Sequence, residues 1–134
     1  MNPVFADTAY FVAVVNARDP WHALALKAGV TIQGPILTTE FVLVEFGNAL
    51  SSARDRQLFI DFVEFMKSEP RFEILPASTE LMEVGFVLYS GRPDKNWSMT
   101  DCISFAAMKE RQITDVLTTD HHFMQAGFNV LMKP

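Results

Sequence analysis

A lone cysteine, Cys102, rules out an internal disulfide in this chain and suits a reducing compartment. It lies in an apolar helical stretch with no basic residue beside it to stabilise a thiolate, so it reads as packing and not as a nucleophile. Basic residues are scarce too. Eleven Lys and Arg against 16 Asp and Glu leave a net charge of −5, which excludes a protein that coats nucleic acid through bulk electrostatics. That balance is still compatible with an enzyme whose acidic site is neutralised by bound cations. The N-terminus lacks a basic region, and the apolar run Ala9 to Val15 is short and preceded by Asp7. Neither a signal peptide nor a membrane span is expected, and the cytoplasm is the expected location. Repeats, low-complexity segments and linkers are missing as well. The 134 residues, 49% of them hydrophobic, fit one domain over 1–134 with a full core.

What is present alternates between short apolar strands and helical segments. Val4-Phe5-Ala6 reads as a buried strand ending at Asp7-Thr8, and Tyr10 to Val15 as a helix. Asp19-Pro20 starts a helix over Trp21 to Ala28, with Gly29 as its stop. Ile36-Leu37-Thr38 is a second strand, after which Thr38 or Thr39 caps a helix from Glu40 to about Ser52. Arg54 to Lys67 is amphipathic, Phe72 to Leu75 alternates like a strand, and Ser78 to Tyr89 carries a stripe of Leu81, Val84, Val87 and Leu88. Ser90 to Asn96 is a loop that feeds the helix after Trp97. Val116 to Thr118 and Asn129 to Met132 complete the strands, with a short helix from Asp120 to Ala126 between them, stopped by Gly127. The alternation predicts an α/β fold with a central parallel sheet of about five strands, helices on both faces and right-handed crossovers.

The chemistry-bearing residues are acids. Ser98 and Asp101 have capping-box spacing at the start of an otherwise apolar helix, so Asp101 is either a cap alone or a cap that also serves as a metal ligand. Glu45 lies on an apolar helix face, with Phe41 and Ala49 one turn either side; it either snorkels at the rim or carries a function that warrants its cost. Asn48 shares that face and could orient it. Ligand sites in parallel sheets lie beyond the carboxyl ends of the strands. Asp7 and Asp120 follow strands directly, Asp101 opens a helix, and Glu45 can join them from the helix after the second strand. Four carboxylates in one pocket require divalent cations, raised pKa values, or both. Oxygen ligands point to Mg²⁺ or Mn²⁺, and such ions suit phosphodiester hydrolysis.

The order and spacing of Phe5-Ala6-Asp7-Thr8, Thr39 through Glu45 to Asn48, Trp97 to Phe105, and Leu117-Thr118-Thr119-Asp120 resemble the PIN domain, and within it the ribonuclease toxins of VapBC-type toxin–antitoxin pairs. The resemblance implies that Asp7, Glu45, Asp101 and Asp120 form the acidic constellation, with Asp7 and Asp101 the firmest Mg²⁺ ligands. It implies hydroxyls beside the acids at Thr8 and Thr118, and a loop acid at Asp94. It further implies metal-dependent endonucleolytic cleavage of RNA, a homodimer, and inhibition by a cognate antitoxin.

Rival phospho-acceptor and phosphatase folds want a paired acid after the first strand or an Asp-x-Asp. Thr8-Ala9 after Asp7 and Thr119-Asp120 after Thr118 supply neither. A catalytically degenerate scaffold is the non-enzymatic alternative, against which the complete set of acids argues. His121 and His122 either ligate metal or decorate a first helical turn. Trp97 either stacks on a base or packs beneath its loop. Arg18, Arg92 and Lys95 lie in loops predicted near the acidic edge and are candidates for RNA phosphate contacts.

Overall fold

The computed structural model describes residues 2–133. Among them five strands and seven helices alternate. These are β1 (Val4–Ala6), α1 (Thr8–Val15), α2 (His22–Val30), β2 (Ile36–Thr39), α3 (Glu40–Ala49), α4 (Arg56–Ser68), β3 (Phe72–Leu75), α5 (Thr79–Gly91), α6 (Met99–Glu110), β4 (Asp115–Leu117), α7 (His121–Gln125) and β5 (Asn129–Val130). All strand pairs are parallel, in the order β3-β2-β1-β4-β5. Every residue of β1 and β2 is buried. Successive strand residues point to opposite faces, so the sheet's centre is covered on both sides, as the unbroken apolar runs require.

Strand order fixes where a ligand can enter. The chain leaves β1 toward β2 and β3, then returns to the other side of β1 for β4 and β5. Crossovers in opposite directions from neighbouring strands open a crevice at their carboxyl ends, here between β1 and β4. The N–H of Asp7 bonds the carbonyl of Leu117 at 3.2 Å, closing the pairing at that end.

Local chemistry explains most element boundaries. Thr39 caps α3 by accepting the N–H of Val42, and Ser78 caps α5 by accepting that of Leu81. Gly127, at φ +96°, ends the last turn after α7. Several boundaries depart from the sequence expectation. Helix α1 begins at Thr8, with Asp7 as its N-cap. Asp19 instead accepts the N–H of Trp21 in a turn, so α2 starts one residue later than expected. Gly29 lies inside α2; a Cβ there would stand 2.7 Å from the Tyr10 hydroxyl, so its role is close packing and not termination. Helix α3 ends at Ala49, three residues short of Ser52, and β5 is confined to Asn129–Val130.

The expected stripe on α5 is also revised. Val84 and Val87 are 56% and 71% exposed, while Leu81 and Gly85 are buried. The helix lies against α6 through Gly85, where a Cβ would meet Ile103 Cγ1 at 2.5 Å and its Cα at 3.0 Å. An i, i+4 pair of Leu and Gly thus sets the packed face, which Leu88 of the expected stripe extends by packing against the core, while Met82, Val84, Phe86, Val87 and Tyr89 stay outward. The core beneath the sheet's carboxyl edge is aromatic: Phe105 meets Trp97 and Phe123 edge-on at 5.1 and 4.9 Å. This packing holds α6 and α7 beside one another.

Candidate metal centre

Three acids line the crevice between β1 and β4, linked through Thr118 and His122; of them, Asp120 alone belongs to a group of ligand atoms all within 4.8 Å of one another among the described residues, with His121 and His122. Asp7 stands at the end of β1 and is only 4% exposed; Asp101, in the first turn of α6, is 7% exposed. Asp120 caps α7, its Oδ1 accepting the N–H of His122 at 2.9 Å. The capping box at α6 is complete. Ser98 Oγ accepts the N–H of Asp101 at 2.9 Å, and Asp101 Oδ2 accepts that of Ser98 at 3.0 Å.

Thr118 ties the set together. Its buried hydroxyl donates to Asp7 Oδ2 at 3.0 Å and accepts the N–H of Asp120 at 3.0 Å, so one side chain joins the acid after β1 to the acid after β4. His122 makes the second link, with Nδ1 3.0 Å from Asp101 Oδ2 and 3.3 Å from Asp120 Oδ1. The ionised carboxylate can only accept, so facing it Nδ1 carries the proton and donates. Asp101 Oδ1 and Asp120 Oδ2 have no hydrogen-bond partner among the described residues.

The electrostatics follow from this geometry. Burial pushes the Asp7 carboxyl up to about 7, with the neighbouring charges of Asp101 and Glu45 adding to the rise and hydrogen bonds from the Thr8 backbone and Thr118 opposing it. Asp101 is raised as well, first by burial and then by Asp120, against the Ser98 backbone and His122. A cation bound at the crevice would offset this cost of burying negative charge. The Thr8 hydroxyl, next to Asp7, is buried without a hydrogen-bond partner among the described residues. An orphaned hydroxyl and carboxylate oxygens left unpaired at the same crevice fit a hard divalent cation and its water.

The remaining sequence candidates divide. Glu45 is half-buried on α3 and close enough to raise Asp7 through its charge. Asn48 is exposed and makes no hydrogen bond to Glu45 among the described residues, so nothing here orients the glutamate through it. Asp94 does not join the acids. It pairs with Arg92 through two hydrogen bonds of 3.1 Å, and that guanidinium holds its carboxyl below the usual range. Arg92 lies 5.2 Å and Lys95 6.0 Å from the Trp97 ring, in the loop that leads into Ser98. Trp97 itself is 6% exposed and donates Nε1–H to Gln125, so it packs beneath the loop. Arg18 lies past the far end of α1, about 12 Å of helix from Asp7, and is paired with Asp55 at 3.0 Å. The sequence predicts its loop near the acidic edge; the eight residues of α1 carry it to the opposite end.

His122 is the contact that the sequence leaves undecided. Asp120, His121 and His122 offer ligand atoms within 4.8 Å of one another, though the His121 side chain is 72% exposed. The available signal is a two-residue offset from a capping acid, whose short helix must face the start of α6.

Known proteins share this fold. Mycobacterium tuberculosis VapC20, a 23S rRNA-specific endonuclease, is 25% identical over 126 residues, covering 93% of this chain and 95% of that protein. The crystal structure of M. tuberculosis VapC20, a sarcin–ricin loop cleaving toxin, superposes with a TM-score of 0.89 at 22% identity, covering 98% of this chain and 99% of that one. FitAcB from Neisseria gonorrhoeae shares the fold with a TM-score of 0.71 at 15% identity, over 96% of both chains. VapBC2 from Rickettsia felis, bound to a DNA fragment from its promoter, does so with a TM-score of 0.66 at 15% identity, again over 96% of both. The family model of the PIN domain matches residues 4–129, and the chain belongs to that family.

Proposed function

We propose that the protein is a Mg²⁺-dependent endoribonuclease, with Mn²⁺ as an alternative ion, and the toxin of a type II toxin–antitoxin pair. The observation that carries this reading is the convergence of Asp7, Asp101 and Asp120 at one crevice, joined through Thr118 and His122 and with Glu45 alongside. Asp7 and Asp101 would hold the ion most firmly, with Asp120 and Glu45 completing the oxygen set. A divalent ion held there would supply water activation and charge stabilisation for an in-line displacement at phosphorus. The protein's own part is to fix the carboxylates: Ser98 and His122 hold Asp101, and Thr118 holds Asp7.

The relatives direct the first substrate test. Because VapC20 is a 23S rRNA-specific endonuclease, total RNA is the substrate to map, with 23S rRNA watched first. Discrete cleavage in Mg²⁺, abolished by EDTA and restored by added Mg²⁺, is expected. Intact RNA under all conditions would favour the catalytically degenerate scaffold.

Arg92 and Lys95, beside the α6 N-terminus, are the proposed contacts to RNA phosphates. Changing both to Ala should weaken substrate binding and reduce the slope of log affinity against log salt by roughly one to two. A slope identical to that of the wild type would remove them from the interface. A cognate antitoxin is supported by the likeness to the VapBC assembly. A homodimer is supported by the outward apolar residues of α5: Met82, Val84, Phe86, Val87 and Tyr89.

A further inference from the structure

We propose that His122 is a positioning residue that aims the Asp101 carboxylate, an inference that rests on the metal centre proposed for this crevice. Asp101 Oδ2 receives two donors, the Ser98 N–H at 3.0 Å and His122 Nδ1–H at 3.0 Å. A single capping bond leaves a carboxylate free to swing about its Cβ–Cγ bond, and a second donor arriving from another helix removes that freedom. Oδ1, which has no partner among the described residues, is thereby given a fixed direction.

His122 acts on Asp120 as well. Its backbone N–H and its Nδ1 both approach Asp120 Oδ1, at 2.9 and 3.3 Å. One imidazole N–H therefore lies between the inner oxygens of two acids from different elements, where it draws them together and offsets their repulsion. The outer oxygens, Asp101 Oδ1 and Asp120 Oδ2, remain for a cation. The placement is not accidental to the surface, because the His122 side chain is only 20% exposed. It is held by α7, which Asp120 caps and which Phe123 anchors edge-on to Phe105 of α6. Donors behind ligand oxygens are known to set ligand orientation, and their loss typically lowers metal affinity or activity by 10–100-fold.

The test is Mn²⁺ binding to the intact protein, read from the loss of the free-ion electron paramagnetic resonance signal, in wild type, His122→Leu, His122→Asn and Asp101→Asn. Asn carries its amide nitrogen where His carries Nδ1, so it preserves the donor and drops the ring. The Leu variant should bind Mn²⁺ about 10-fold or more weaker than wild type, and the Asn variant within about threefold of it. In RNA cleavage the Leu variant should lose kcat with KM unchanged, a split that loosened substrate packing would not give. If Leu binds Mn²⁺ as wild type does, or if Asn is as weak as Leu, the positioning role is overturned while the metal centre stands. Should the Leu variant fail to fold, His122→Ala, which also lacks the donor, takes its place with the same expected loss. A wild-type protein that takes up no Mn²⁺ would overturn the metal centre itself, and a separate result distinguishes that failure: Asp101→Asn would then match wild type.

Discussion

Asp101→Asn should lower Mg²⁺-dependent RNA cleavage by on the order of 10³-fold or more, about 4 kcal/mol of transition-state stabilisation, while leaving the fold intact. Both halves follow from how the two carboxylate oxygens are used. Oδ2 completes the capping box and accepts from His122, and an Asn oxygen can accept both bonds. The cost in stability should therefore be small, within about 1 kcal/mol. Oδ1 is the oxygen without a protein partner, and in the variant an NH₂ group takes its place. That exchange sets a donor where an acceptor must meet a cation, and removes a negative charge as well. Circular dichroism and thermal unfolding check the first half, and cleavage rates at saturating Mg²⁺ the second. Equal activity in the two proteins would leave Asp101 as a helix cap and nothing more.

Removing the charge of Asp7 should have the largest effect on stability. Its folded-state pKa of about 7 lies above the ordinary value of 3.8, so the folded chain holds this proton more tightly than the unfolded chain. The contribution to stability is then fully present below about pH 4 and is lost as the pH rises through about 7, at up to 1.4 kcal/mol per unit between them. In EDTA, Asp7→Asn should match wild type near pH 4 and exceed it by roughly 2–4 kcal/mol at pH 8, because the amide can still accept from Thr118 without a buried charge. Mg²⁺ should reverse the order at pH 8 by stabilising the wild type alone, through binding only the folded state. Urea unfolding of both proteins across this range, with and without Mg²⁺, measures the difference directly. A constant offset between them at every pH would mean that Asp7 ionises normally and the crevice is wet.

The features most legible in the sequence are those set by neighbours along the chain. Ser98 and Asp101 form the expected capping box, Thr39 caps α3, and Asp120 caps α7, because caps depend on three or four consecutive residues. The five parallel strands are legible from alternation alone. Strand order is not, and it is the order that puts β4 beside β1 and lets Thr118 reach Asp7 across 111 positions of sequence. Arg18 departs from its expected place because its loop follows the end of α1 away from Asp7. Helix α5 shows the limit of periodicity. It is apolar nearly all round, so Val84 and Val87 look as suited to the core as Leu81, and only the close approach at Gly85 selects the packed face. Asp94 is the loop acid that the resemblance to the PIN domain implies, and Arg92 two residues earlier pairs with it. His122 depends on tertiary packing altogether, through the Phe105–Phe123 contact that seats α7 on α6.

The proposed chemistry requires carboxylates from β1, α6 and the end of β4 to share a cation. Anomalous diffraction from crystals soaked in Mn²⁺ tests that most directly. The expected result is manganese density bounded by Asp7, Asp101 and Asp120, with Glu45 at its margin. Manganese bound elsewhere, with these three side chains still hydrogen-bonded only to protein, would contradict it.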